Sequence, residues 1–133
     1  MISILCIEDE TEVRALIVEE LKEAGFEVLE ATNGREGLES MLAHWPDIVI
    51  CDITMPEMDG RELLAEIQMN YPELAMTPFI FLTALTDKDT MLEGLRAGAD
   101  DYLTKPVDFD LLMAKVDGCV KRVENARKTG KAF

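Results

Sequence analysis

The feature that most restricts the fold of this chain is a fivefold alternation between short apolar runs and longer segments with apolar residues at helical spacing. The first run, 2–7, ends in acidic residues, and apolar side chains then recur every three or four positions through 11–24. The same order returns four more times along the chain. We predict strands at 2–7, 26–31, 48–51, 77–83 and 101–104, and helices at 11–24, 36–45, 60–69, 87–97 and 108–125.

Strands that alternate with helices pair in parallel, because each helix returns the chain to the starting edge of the sheet. The predicted strands 2–7, 48–51 and 77–83 are almost continuously apolar. Strands of this kind are buried on both sides, which requires helices on both faces of the sheet. The pattern therefore predicts an α/β fold, a doubly wound parallel sheet of five strands.

Length and composition limit the organisation and location of the chain. Its 133 residues suit one domain, which we assign to 1–125, with 126–133 as a polar basic tail or the start of a linker. The longest uncharged stretch, 74–86, has 13 residues, fewer than the ~20 that a membrane-spanning helix needs. The first residues lack the basic region of a secretory signal, and three cysteines cannot all pair. We therefore expect a cytoplasmic protein that does not bind membranes.

The charge of the chain argues against nucleic acid as a direct ligand. The net charge is −14, and the cations are concentrated in 121–133, which holds five Lys and Arg residues and one Glu. An acidic body repels the phosphate backbone of nucleic acids. We expect this domain to bind other classes of partner.

Polar residues stand where the predicted strands end, which is where ligands bind in open parallel sheets. Glu8 and Asp9 follow the first strand, Asp52 the third, Thr83 closes the fourth and Lys105 follows the fifth. Each alone is explained by helix capping or solvation. Together, however, three carboxylates at one edge would repel one another unless a proton or a cation neutralised them.

The residue types at this edge suit a magnesium ion and a phosphoryl group. Carboxylates without clustered Cys or His favour magnesium over zinc, and the twelve-residue calcium-loop pattern is absent. Lys105 offers a compact positive charge and Thr83 a hydroxyl donor, both suited to phosphoryl oxygens. Asp52 is the candidate nucleophile.

Four segments of the sequence closely resemble the receiver domain of two-component response regulators, over residues 2 to about 125. They are 4–9 (ILCIED), 52–60 (DITMPEMDG), 81–84 (FLTA) and 97–106 (AGADDYLTKP). The resemblance implies a flavodoxin-like (βα)5 fold with strand order 2-1-3-4-5. It also implies a phosphoacceptor signalling domain that catalyses its own phosphorylation and dephosphorylation, and not an enzyme with an external substrate.

The resemblance also implies roles for individual residues. Asp52 would accept the phosphoryl group. Asp9, Asp52 and the Thr54 main-chain carbonyl would bind Mg²⁺, with Mn²⁺ as a substitute, and Glu8 would contact the metal through water. Glu8 departs mildly from the family, which often has Asp there, but a Glu carries the same charge on one more methylene.

Further roles concern the response to phosphorylation. Thr83 would contact the phosphoryl group, Lys105 would pair with it, and Tyr102 matches the aromatic switch position. Pro106 matches a cis peptide bond that would aim Lys105 at the site. Leu85 offers no polar group to position a hydrolytic water, from which we expect slow autodephosphorylation.

The implied partners are a sensor histidine kinase or histidine phosphotransfer protein as donor, and an output domain or protein as target. The donor would supply a phosphohistidine, and the target would contact the fourth helix, fifth strand and fifth helix. The domain itself would be a monomer or weak dimer.

Two other functions remain as alternatives. A haloacid dehalogenase-type hydrolase also uses an Asp nucleophile after a strand, but it has Asp-x-Asp, and position 54 here is Thr. A degenerate receiver that only docks to partners would not need Asp9, Asp52, Thr83 and Lys105 together. His44, the only histidine, is predicted to be a surface or loop residue between a helix and a strand, which argues against a catalytic triad or a histidine metal site. Cys6 and Cys51 are expected to be inert buried thiols.

Overall fold

A computed structural model of the chain describes residues 1–84 and 88–128. It shows the predicted alternation of strands and helices along the described chain. The elements are β1 (Ser3–Ile7), α1 (Thr11–Glu23), β2 (Glu27–Ala31), α2 (Gly34–His44), β3 (Ile48–Asp52), α3 (Gly60–Asn70), a 3₁₀ turn (Pro72–Leu74), β4 (Phe79–Ala84), α4 (Lys88–Arg96), β5 (Asp101–Lys105) and α5 (Phe109–Lys128).

The five strands form one parallel sheet in the order β2-β1-β3-β4-β5, which confirms the predicted fold. The central strand β3 is buried at every position. On one face, apolar side chains of β1 and β3 pack against α1 and α5. On the other face, the alternate side chains of the same strands pack against α2 and α3. Gly94 of α4 lies against Phe81 on this face. Burial of each Leu, Ile or Val side chain contributes about 1.5 to 3 kcal/mol to the stability of the fold. These two apolar layers therefore stabilise the sheet whose edge carries the polar residues.

Helix boundaries follow local capping more closely than apolar spacing does. We predicted that α2 begins at 36, but it begins at Gly34 because the Asn33 side chain accepts a hydrogen bond from the Glu36 amide. The helix runs through His44, so this residue ends α2 and does not lie in the loop that follows, whereas its predicted surface position is confirmed because it is exposed. At the next helix, Asp59 and Glu62 form a capping box that starts α3.

Most other boundaries lie within one residue of the predictions, but two differ by more and one short element was not expected. The strand expected at 77–83 begins at Phe79, because Pro78 has no amide hydrogen to donate to a sheet. The 3₁₀ turn at Pro72–Leu74 was not predicted. Helix α5 continues to Lys128, so 126–128 of the predicted tail are helical. None of the helices in the described part of the chain is long and apolar enough to cross a membrane.

Candidate functional site

The carboxyl edge of the sheet brings four acidic residues together. Asp52 is the last residue of β3, and Glu8, Asp9 and Glu10 directly follow the neighbouring strand β1. One carboxylate oxygen from each lies within 4.8 Å of the others. Glu8 is fully buried and Asp52 is 5% exposed, whereas Asp9 and Glu10 reach solvent. We call Glu8, Asp9, Glu10 and Asp52 the acid cluster.

Lys105 brings a positive charge to the acid cluster. It is the last residue of β5, and its peptide bond to Pro106 is cis. Its Nζ lies 2.6 Å from Glu8 Oε1, 2.9 Å from Asp52 Oδ2 and 3.1 Å from Glu10 Oε1. A single ammonium group thus serves three carboxylates, and negative charge remains in excess at this edge.

Burial and charge oppose each other at these groups. Burial raises the pKa of Glu8 to about 7, against the Lys105 ammonium and the Glu10 amide, which favour the ionised form. Burial alone would lower the pKa of Lys105, but its close contacts with the Glu8 and Asp52 carboxylates, and their negative charges, hold that pKa above its ordinary value. Lys105 is therefore a permanent cation at neutral pH, and Glu8 holds a proton readily.

The acid cluster fits a hard divalent cation. Its donors are carboxylate oxygens, which Mg²⁺, Mn²⁺ and Ca²⁺ prefer. Glu8 Oε1 is buried, and the nearby ammonium of Lys105 approaches it too far off axis for a hydrogen bond. This oxygen therefore has an electrostatic partner but lacks an aligned donor within the described residues. The pocket is able to bind a metal ion.

The β3–α3 loop holds Asp52 from the other side. The Thr54 amide donates a hydrogen bond to Asp52 Oδ1 at 3.3 Å, and Thr54 itself is exposed. Gly60 starts α3 so close to the strand that an added Cβ would lie 2.6 Å from the Asp52 main-chain oxygen. Only glycine permits this approach, which brings the N-terminus of α3 against the end of β3.

Thr83 and Tyr102 lie on the two strands beyond β3. Thr83 is 2% exposed and directly follows Leu82, which pairs with Asp52 in the sheet. Tyr102 is half-buried near the start of β5, and Lys115 Nζ of α5 lies 5.9 Å from its ring centre. Thr83 therefore lies at the edge near the acid cluster, while the Tyr102 ring lies further from that edge. Leu85 lies outside the described residues.

Two residues at this site were missed by sequence reasoning. Glu10 is only one residue of the acidic stretch after the first strand in the sequence, yet it pairs with Lys105. Arg14 had no assigned role, yet its Nη1 donates to the Glu8 carbonyl oxygen at 2.8 Å. The available signal was spacing, because the α1 turn from Glu10 places residue 14 back over the acidic loop.

The cysteines are confirmed as buried free thiols. Burial first, and then the nearby Glu8 carboxylate, raise the pKa of Cys6 to about 12. Burial likewise raises the pKa of Cys51, with Asp52 adding to it. Neither thiol forms a reactive thiolate at neutral pH.

Comparison with known proteins places these features in a family. A family model described as "Response regulator receiver domain" matches residues 4–117. The chain is 41% identical over 109 residues to the regulatory protein AtoC of Escherichia coli (strain K12), an alignment covering 82% of this chain and 23% of AtoC. It is 33% identical over 122 residues to the response regulator ArlR of Staphylococcus aureus (strain Mu50 / ATCC 700699), covering 92% of this chain and 54% of ArlR.

A solved structure shows the same arrangement of the backbone. The signal receiver domain of a signal transduction histidine kinase from Syntrophus aciditrophicus has a TM-score of 0.85 and 33% identity, covering 92% of both chains. By contrast, this chain spans about half or less of the length of the curated relatives it matches.

Proposed function

Because this chain belongs to the response regulator receiver domain family of two-component systems, we propose that Asp52 accepts a phosphoryl group from a histidine of a partner protein. The observation that carries the proposal is the place of Asp52 itself. Its carboxylate is almost buried, lies 2.9 Å from the Lys105 ammonium and belongs to the acid cluster. A nucleophile, a cation and a metal-binding pocket meet at one point.

The chemical step is a phosphoryl transfer between two side chains. A carboxylate oxygen of Asp52 forms a new O–P bond while the P–N bond to the donor imidazole breaks. The electron pair of that bond stays on the imidazole nitrogen, which then takes up a proton. Hydrolysis of the aspartyl phosphate by water later returns the carboxylate and inorganic phosphate. The domain thus catalyses its own modification and has no external substrate to turn over.

Two groups of residues around Asp52 compensate the charge of the phosphoryl group: those that would bind a metal ion, and Lys105. Asp9, Asp52 and the Thr54 main-chain carbonyl would hold Mg²⁺ or Mn²⁺, with Glu8 acting through water. The bound metal supplies positive charge that offsets the negative charge on the phosphoryl oxygens. Lys105 supplies a second positive charge, and it must leave part of its contact with Asp52 to meet the new phosphoryl group.

The phosphorylated state is read through Thr83 and Tyr102. A phosphoryl group adds charge and acceptor oxygens beside the β3 end, where the Thr83 hydroxyl can donate to it. Inward movement of Thr83 makes room for Tyr102, and the change favours one of two pre-existing conformers. The output surface is then α4, β5 and α5, which an output domain or target protein contacts.

The donor is a protein, either a sensor histidine kinase or a histidine phosphotransfer protein. An apolar cleft of about 260 Å³ borders Lys105 and is lined by Val13, Leu16, Pro106 and Phe109, among others. Leu16 is 54% exposed there, as expected of a side chain that another protein covers. We assign the receiver to 1–125, with 126–133 as a polar basic tail or the start of a linker.

The test is phosphorylation by a small acyl phosphate, followed by intact mass. Wild type, Asp52→Asn and Glu57→Gln are compared with Mg²⁺ and with a chelator. Glu57 is the matched control, because it is an exposed acid of the same loop outside the acid cluster. We expect wild type and Glu57→Gln to gain one phosphoryl group only with Mg²⁺, and Asp52→Asn to gain none.

Failure of wild type with both acyl phosphate and a phosphohistidine donor would contradict the proposal. The docking-only receiver would then be the better account of the chain. Phosphorylation of Asp52→Asn at the wild-type rate would instead show that the acceptor is another residue.

A further inference from the structure

Arg14 connects three elements around the acid cluster. It lies in the first turn of α1, and its side chain is 14% exposed. Its Nη1 donates to the Glu8 carbonyl oxygen at 2.8 Å, and its Nε donates to Glu30 Oε1 of β2 at 3.2 Å. One planar guanidinium therefore links the start of α1, the loop after β1 and the end of β2.

The contact with the Glu8 carbonyl controls the backbone of the acid cluster. Glu8 stands just beyond β1, and its amide donates to the Ala31 carbonyl of β2 at 3.0 Å. Its carbonyl oxygen accepts a hydrogen bond from Arg14. Since the Glu8–Asp9 peptide unit is planar, holding that oxygen also fixes the Cα of Asp9. Asp9 contributes an oxygen to the cluster, so its direction depends on this peptide plane.

The surface ion pair with Glu30 does not by itself explain the position of the Arg14 side chain. The Glu30 side chain is 48% exposed, and pairs of this kind contribute about 0 to 1 kcal/mol. The hydrogen bond to the Glu8 carbonyl is charge-assisted and shorter, and it is the stronger of the two contacts. Among the contacts of the described residues, Arg14 is not paired with a carboxylate of the acid cluster. Those oxygens stay available to a cation.

We infer that Arg14 is a positioning residue: it fixes the Glu8–Asp9 peptide so that the acid cluster presents its oxygens to a divalent cation. This inference rests on the proposed function, because the cation and the phosphoryl transfer belong to it. Arg14 acts through the backbone of Glu8 and does not touch the reacting atoms.

The experiment measures Mg²⁺ affinity by calorimetry on the full chain, for wild type, Arg14→Met, Arg14→Lys and Glu30→Gln. Residues that orient metal ligands change affinity substantially when replaced, so we expect roughly tenfold weaker binding in Arg14→Met. Arg14→Lys should recover part of the loss, because an ammonium keeps the charge without the guanidinium fork. Glu30→Gln, the matched control, should bind within about twofold of wild type, because it leaves the Glu8 contact in place.

A second readout separates positioning from folding. The Mg²⁺ concentration for half-maximal phosphorylation should rise in Arg14→Met, while the rate at saturating Mg²⁺ should return close to wild type. Urea unfolding without metal reports the stability of each variant. Lower stability with unchanged Mg²⁺ affinity would overturn the inference, since Arg14 would then be structural only.

An increase in Mg²⁺ affinity, instead of the expected loss, would also overturn the inference. Removing a cation near four carboxylates should strengthen Mg²⁺ binding if charge alone mattered. Tighter binding by Arg14→Met would therefore contradict the positioning role. A wild type that neither binds Mg²⁺ nor accepts phosphate would contradict the proposed function, whereas a normal wild type with unaffected Arg14 variants would contradict only this inference.

Discussion

At the carboxyl edge of the sheet, the four carboxylates of the acid cluster share one lysine, which contacts three of them, whereas at the amino edge each oxygen of Asp47 has its own partner. Asp47 Oδ2 accepts from the Ser3 amide at 2.8 Å, and its Oδ1 accepts from Arg127 of α5. The Asp47 amide in turn donates to the Ser3 carbonyl at 2.9 Å. The Asp47 charge at the amino edge is fully partnered, whereas negative charge at the carboxyl edge is in excess.

The difference shows which edge serves stability and which serves binding. A partly buried carboxylate with complete partners joins elements, because removing it leaves the backbone amide that it accepts from without a partner. A group of like charges with too few partners stores repulsion, which a bound cation relieves. Substitutions at the two edges should therefore have opposite effects on the metal-free protein.

The largest effect is expected at the amino edge. Asp47→Ala removes the acceptor for the Ser3 amide and for Arg127, and should lower the free energy of unfolding by about 2 to 3 kcal/mol, mainly through the unsatisfied amide, because the Arg127 side chain is half exposed. Asp47→Asn keeps an acceptor oxygen and should lose less. Urea unfolding measures both, and Mg²⁺ affinity should not change. A loss of Mg²⁺ affinity in Asp47→Ala would show that the two edges are coupled.

A smaller effect is expected from the proton on Glu8. Burial raises its pKa from 4.5 to about 7, so the folded metal-free protein binds this proton more tightly than the unfolded chain does. The resulting stability is fully present below pH 4.5 and is lost as the pH rises through about 7. With a chelator present, we expect a loss on the order of 2 kcal/mol between about pH 5 and about pH 8.

The matched variant for this pH effect is Glu8→Gln, which cannot ionise. Its unfolding free energy should fall less than that of wild type over the same pH range, and the difference measures the contribution of Glu8. Equal slopes in the two proteins would mean that Glu8 titrates normally.

The smallest effect is expected at exposed Asp9. Asp9→Asn removes one of the repelling charges and should raise the stability of the metal-free protein by about 1 kcal/mol. The same variant should bind Mg²⁺ at least about tenfold more weakly, because it loses a charged oxygen ligand. Thermal unfolding with a chelator and with Mg²⁺ gives both numbers. If Asp9→Asn were instead less stable than wild type without metal, the Asp9 carboxylate would have a stabilising partner, as Asp47 does.

Much of this site could be predicted, because parallel strands place their last residues at one edge. Asp52 and Lys105 were predicted there from strand ends alone, and the structure brings them to 2.9 Å. The resemblance added Thr54 and Tyr102, whose functional roles remain predictions. Glu10 and Arg14 were not predicted to contact this edge, because their contacts depend on how far a side chain of a loop or helix extends.

Local sequence patterns are enough to predict the order of strands and helices and the end of each strand at which charge collects. Both follow from local periodicity, in which each residue depends on close neighbours. The partner of each charge, by contrast, depends on the folded chain. Lys105 meets Glu10 and Asp52, and Arg14 meets the Glu8 carbonyl, through loop paths and helix packing that bring distant residues together. Contacts of this kind depend on three-dimensional distance, which a one-dimensional pattern does not contain.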